Sequence, residues 1–411
     1  MENNQPTLRR SLSLNLVTLY GLGNILGAGI YVLVGKVVGE AGYLAPLSFL
    51  TASIIAGLTA FTFAELASRF PVSAGETVYV FEGFGKKQLS ILVGLLIIMT
   101  GVVSAATIAR GFVGYLNVFL NVPASLTIIV LLAVLGTVAI WGIMESVRTA
   151  AVLTCLEVLG LLLVLFVAAP YFTALPSRIN EFTPGTDLAI WPGIFSGAFL
   201  AFYAFVGFED MVNVAEEVKN PQRNLPRAIL LALATSTVLY VAIAFAVLLV
   251  LPPDQLAASD APLANVYQEV TGNTPVAITF IAMFAVINGA LIQIIMASRV
   301  CYGMARQRWL PAILCRVSDL TRTPIIATVL VTLLVMIMAL WLPIEQLARA
   351  TSFFLLIIFS LVNLSLWRIK SRDGKVDERI FQVAGWIPIA GFIAAVCLLA
   401  AEIANRLLGT S

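Results

Sequence analysis

Two short stretches of this 411-residue chain set polar groups and weak helix backbone inside apolar runs. One is GNILGAGIY (23–31); the other is FYAFVGFEDMVNVAEEV (202–218). Glycine permits backbone angles denied to other residues and lets a ligand approach closely. A helix interrupted at Gly27–Ile30 has N–H groups without intrahelical acceptors, and the positive end of the half-helix that follows attracts a carboxylate. A matching interruption at Tyr203–Phe208 offers carbonyls and a negative helix end to an ammonium group. A molecule carrying both an α-carboxylate and an α-amine fits between them. Glu209 and Asp210 follow directly, and acids at membrane depth are costly enough to face a cavity or a partner. The plainer reading of Gly23 and Gly27 is close helix packing through small residues. Gly29, Asn24 and the paired second stretch favour a ligand site.

The elements that must hold these stretches are membrane spans. The chain is 60% hydrophobic and 11% charged, with a mean hydropathy of +0.99, whereas soluble domains are about half apolar and a quarter charged. Runs of roughly 20 apolar residues suffice to cross a bilayer. Eleven are expected, at 16–38, 43–66, 89–118, 124–142, 150–170, 190–214, 228–251, 275–298, 325–342, 350–367 and 384–404. Both weak stretches fall in corresponding places, the first span of one group of five and the first span of the next. Five is odd, so the second group enters the membrane with opposite orientation. The fold class expected is all-α integral membrane, a five-plus-five inverted repeat with broken first and sixth spans, as in many secondary transporters. The divisions read 1–13 as a cytoplasmic tail, 14–170 as the first repeat, 171–189 as an external linker and 190–368 as the inverted second repeat. Residues 369–411 add a cytoplasmic loop and the eleventh span.

Positive charge sets orientation. Nineteen of the 24 Lys and Arg residues fall in the tail and in the joints that share its side, whereas the joint 252–274 has Asp254, Asp260 and Glu269 but no Lys or Arg. The N-terminus is therefore expected in the cytoplasm, in a multi-pass protein of the plasma or inner membrane. Arg9 and Arg10 precede the first span without the residue order of a signal peptide, so that span is expected to stay. The chain has no histidine, and Cys155, Cys301, Cys315 and Cys397 show no metal spacing. No metal or other cofactor is expected. The net charge of +2 gives no reason to expect a nucleic-acid partner, and an intramembrane enzyme has no acid–base, metal or nucleophile set to work with.

At these residues the sequence resembles the amino acid–polyamine–organocation superfamily, its cationic amino acid transporter-like branch in particular. The resemblance rests on GNILGAGIY (23–31), FAELASRFPVSAGETVYVF (63–81), FYAFVGFEDMVNVAEEVKNPQRNLPRAI (202–229) and ASRVCYGMARQRWLP (297–311). It implies an amino acid permease working by alternating access. It further implies that Gly27, Ala28, Gly29 and Ile30 hold the substrate carboxylate through backbone N–H groups, with Asn24 and Ile25 shaping the site. Tyr203 would close over the substrate, with Phe202, Phe205, Gly207 and Phe208 around it, Gln293 on the eighth span and Ser104 and Thr107 on the third. Gln293 serves a helix–helix hydrogen bond equally well.

Many members have twelve spans against eleven here, and some proton-coupled members place a lysine in the fifth span where this chain has Glu157. Sodium-coupled relatives use eighth-span hydroxyls that this chain lacks at the right depth, which disfavours sodium. Proton symport or amino acid exchange is expected, with Glu209 first, Glu157 second and Asp210 third as proton carriers. A plainer role for Glu209 is a permanent pair with a cation such as Arg110. The rival substrate is a polyamine or other organic cation drawn to the two acids. Glu65 and Arg69 are expected to form a structural ion pair.

Overall fold

The computed structural model describes residues 10, 12–27, 29–72, 75–141, 147–186, 188–372 and 380–408. Sixteen α-helices occur among them: α1 (Leu14–Leu26), α2 (Gly29–Ala41), α3 (Ala45–Arg69), α4 (Gly75–Phe84), α5 (Lys87–Leu116), α6 (Ala124–Trp141), α7 (Val147–Ala168), α8 (Leu175–Arg178), α9 (Trp191–Phe202), α10 (Pro221–Val250), α11 (Pro253–Ala258), α12 (Pro262–Thr271), α13 (Val276–Arg306), α14 (Ile325–Trp341), α15 (Ile344–Arg372) and α16 (Trp386–Leu408). Nine helical stretches among the described residues are long and apolar enough to cross a membrane. The first, 56 residues long, holds two crossings, and the seventeen-residue Ile325–Trp341 is a further apolar helix. The eleven spans read from hydropathy are all present.

The helices begin and end where local chemistry dictates. Ser13 caps α1 by accepting from the Leu16 N–H. Pro221 opens α10 at its first position, where a missing N–H costs nothing. Pro226 lies inside that same helix. Gly272, at φ 66°, ends α12, as glycine does at a left-handed helix stop. The joint 252–274 is not a bare loop but the two short helices α11 and α12, and α4 interrupts the joint after the second span.

Equivalent spans of the two halves pack on each other: α2 on α9, α3 on α10, α5 on α13 and α6 on α14. A two-fold axis running between inverted repeats brings equivalent elements together in this way. Large apolar side chains that face outward, such as Val134 on α6, Leu333 on α14 and Ile393 on α16, form the surface offered to lipid. Inside, Phe63, Phe202, Phe208 and Phe359 pack ring to ring at centroid distances of 5.3–5.8 Å.

Polar links tie the ends of the spans together. The Glu65–Arg69 pair forms at 2.6 Å and is wider than the sequence suggests. Lys370 of α15 bonds the same carboxylate at 2.8 Å, and so does the Val383 N–H ahead of α16. Removing one partner from such a buried set costs roughly 3–5 kcal/mol. At the opposite end of the spans Arg349 joins Glu40, Glu402 and Ser196, while Lys36 reaches Glu345 at 3.2 Å. The first, sixth, tenth and eleventh spans are thereby clasped at that end.

Candidate substrate site

The first span is interrupted between Leu26 and Gly29. The break differs from the expected unwinding over Gly27–Ile30, because Gly29 and Ile30 already belong to α2. The Gly27 N–H is not free either; it donates to the Gly23 carbonyl at 3.0 Å. One step on lies the first turn of α2, and the N–H groups at a helix start lack intrahelical acceptors. Ala28 lies outside the described residues.

The sixth span breaks more widely. After α9, residues Tyr203–Phe205 form a 3-10 turn, Val206 is extended at φ −60° and ψ 136°, and the chain resumes as a 3-10 helix over Glu209–Glu217. Gly207, at φ 120°, takes an angle that a side chain disfavours. The Glu209 carboxylate turns back to accept the Gly207 N–H at 2.8 Å, so the acid secures the break from within.

The two breaks interlock. A Cβ on Gly29 would come within 2.6 Å of the Ala204 Cβ, and one on Gly207 within 2.6 Å of the Asn24 carbonyl oxygen. Tyr240 of α10 stands between them, its hydroxyl 2.7 Å from the Ile25 carbonyl and 2.9 Å from that of Ala204. One proton serves two carbonyls, one from each broken span.

Beside this junction lies a cavity lined by Asn24, Ile25, Gly29, Ser104, Ile108, Tyr203, Val206, Gly289, Ile292 and Gln293. Its volume is about 20 Å3, room for one water and too small for an amino acid. The Tyr203 hydroxyl meets the Ser104 hydroxyl at 3.1 Å, joining the sixth span to the third. Asn24 Nδ2 and Gln293 Oε1 are buried without a hydrogen-bond partner among the described residues. A buried polar group left unpaired costs about 1–3 kcal/mol, so both are poised to bond whatever enters.

Of the residues expected from the sequence, Asn24, Ile25, Gly29, Ser104, Tyr203 and Gln293 line this cavity, whereas Gly27, Ile30, Thr107, Phe202, Phe205 and Gly207 do not. Thr107 bonds the Val103 carbonyl of its own helix. Phe202 packs on Phe359 and Phe205 on Tyr240. Glu209, Asp210 and Glu157 are buried but outside the lining. Arg110 is not the partner of Glu209: it donates to the Ala339 and Leu340 carbonyls at the end of α14. Sequence reasoning missed Ile108, Val206, Gly289 and Ile292. Helical spacing signals two of them, since Ile108 follows Ser104 by four residues and Gly289 precedes Gln293 by four. Tyr240 was also missed, and nothing in its apolar surroundings marks it.

Two broken spans of opposite sense, interlocked around a buried polar cavity, define a membrane transporter of the inverted-repeat class. The fold agrees: the chain superposes on the crystal structure of MhsT in complex with L-phenylalanine with a TM-score of 0.67 at 14% identity, covering 97% of this chain and all of that one. The chain belongs to the amino acid permease family, whose profile matches residues 12–406. Similar curated proteins include the branched-chain amino acid permease BcaP of Bacillus subtilis (28% identical, covering 96% of this chain and 88% of BcaP). The methylthioribose transporter of the same organism is 26% identical, with coverage of 97% and 89%. The vacuolar cationic amino acid transporter 2 of Arabidopsis thaliana is 32% identical over 87% of this chain and 59% of its own length.

Proposed function

We propose that this protein is a secondary active amino acid transporter that works by alternating access. The observation that carries the reading is the cavity between the interlocked breaks, with Asn24 and Gln293 in its wall and Gln293 Oε1 without a hydrogen-bond partner among the described residues. The substrate carboxylate meets the first-turn N–H groups of α2, those of Gly29 and Ile30, where the helix end is positive. The α-amine meets backbone carbonyls of the sixth-span break, and the Tyr203 ring covers the pair. Since the cavity holds one water's volume, α1, α2 and the sixth-span break must separate from α5 and α13 for substrate to enter. The repeats spanning 14–170 and 190–368 each supply a part to both moving bodies: α1 and α2 move with the sixth-span break, and α5 stays with α13.

The cell membrane is the location proposed, with the N-terminus in the cytoplasm. Transport is by proton symport or amino acid exchange, without sodium. The polyamine alternative loses ground, because the two acids that would draw a polycation lie outside the cavity and Glu209 is engaged by Gly207. Purified protein in liposomes tests the reading. Accumulation of a labelled amino acid, chemically unchanged and blocked by esterifying its carboxylate, is the expected result. Uptake of polyamines in its place would overturn it.

A further inference from the structure

At the membrane end that carries the N-terminus, a second cavity of about 750 Å3 opens. It lies between the chain entering the first span, the end of the second span, the start of α10 and the approach to α16. Arg10, Arg223 and Arg227 line it together with Gln222, and Pro71 and Phe381 give it an apolar floor. Arg223 and Arg227 are four residues apart on α10, which puts them on one helix face. No acid lines this cavity among the described residues. Several buried or half-buried cations elsewhere are paired with acids: Arg69 and Lys370 with Glu65, Arg349 with Glu40 and Glu402, Lys36 with Glu345. Arg10, Arg223 and Arg227 are exposed and have no acidic partner among the described residues.

Three like charges around one hollow draw an anion to it. Guanidinium groups present forked donors that match phosphate oxygens two at a time. The apolar floor beside the arginines suits the glycerol end of a lipid at the membrane boundary. We propose that this cavity binds a phosphate ester, supplied by the headgroup of an anionic phospholipid or by a soluble phosphate compound, and that the bound anion ties the N-terminal chain to the start of α10. The site is separate from the substrate cavity, and the proposal does not depend on which amino acid is carried.

The test is thermal unfolding and native mass spectrometry of the full chain in detergent. The additives are phosphatidylglycerol, phosphatidylcholine, inorganic phosphate or glycerol 3-phosphate, at matched ionic strength. Phosphatidylglycerol is expected to raise Tm and to remain bound in the mass spectrum, whereas phosphatidylcholine is not. In the double variant Arg223→Gln/Arg227→Gln its affinity falls roughly 30-fold, about 1 kcal/mol per basic residue. Arg316→Gln, an exposed arginine on another joint, leaves it unchanged. An equal, variant-sensitive rise with inorganic phosphate or glycerol 3-phosphate supports the same chemistry with a soluble source. Equal effects of the two lipids, a rise that survives the double variant, or no rise with any phosphate compound overturns the proposal.

Discussion

Gly207 of the sixth span lies directly on Asn24 of the first, so that a methyl group on Gly207 would stand 2.6 Å from the Asn24 carbonyl oxygen and 3.0 Å from its Cβ. The partner contact runs the other way, Gly29 of the first span against Ala204 of the sixth. Each broken span thus supplies a glycine where the other needs room, and the junction has no slack for a side chain.

Substitution at either glycine should therefore act on transport. Gly29→Val brings three carbons into space already held by Ala204 and crowds the first turn of α2. Uptake in liposomes should fall more than tenfold while the variant still inserts and purifies. Gly207→Ala adds strain at φ 120°, of order 1–3 kcal/mol, and should lower Tm as well as uptake. Wild-type uptake by Gly29→Val would reduce these glycines to packing residues.

The two tyrosines at the junction should separate by chemistry. Tyr240→Phe keeps its ring but strips the hydroxyl from two buried carbonyls, those of Ile25 and Ala204. A loss of about 1–3 kcal/mol in stability and a marked fall in uptake rate are expected. Tyr203→Phe gives up the hydroxyl's contacts with Ser104 and Thr107, and the ring proposed to cover the substrate remains. Its substrate affinity should stay within a few-fold of wild type, and Tyr203→Ala should lose far more. Binding by calorimetry distinguishes the three.

Glu209, the proposed proton carrier, holds the Gly207 N–H at the break through its carboxylate. A glutamine keeps an acceptor oxygen for that N–H but cannot carry a proton. Uptake should rise as external pH falls and need no sodium. Glu209→Gln should fold normally, keep partial transport and lose the pH dependence. A sodium requirement, or an unchanged pH profile in the variant, sinks the proton role.

Glu76 in α4, outside the spans, gives a separate pH signature. Burial pushes its pKa up to about 8, with the nearby Asp210 adding to the effect. An acid whose folded pKa lies above the unfolded 4.5 binds its proton more tightly when folded, so it stabilises most at low pH. That contribution should fade as pH rises from about 4.5 to 8 and be lost beyond. Tm measured between pH 5 and 8 should decline, and Glu76→Gln should flatten the decline.

The sequence by itself determined the eleven spans, because the apolar runs that lipid requires are long and local. It also located both breaks, since glycine weakens a helix and acids are costly in hydrocarbon. The register of those breaks was beyond it. Residue types did not show that Gly29 and Ile30 are helical, and Ala204, which presses on Gly29, lies 175 residues away. Phe202 and Tyr203 are neighbours in sequence, yet one packs on Phe359 and the other reaches Ser104. Which side of a turn faces the cavity is decided by packing, not by residue type. Tyr240 shows the limit most plainly: one more aromatic in an apolar helix until folding sets two carbonyls against its hydroxyl. The basic cavity arises likewise, because Arg10 and Arg223 are far apart in sequence and meet only when the first and seventh spans come together.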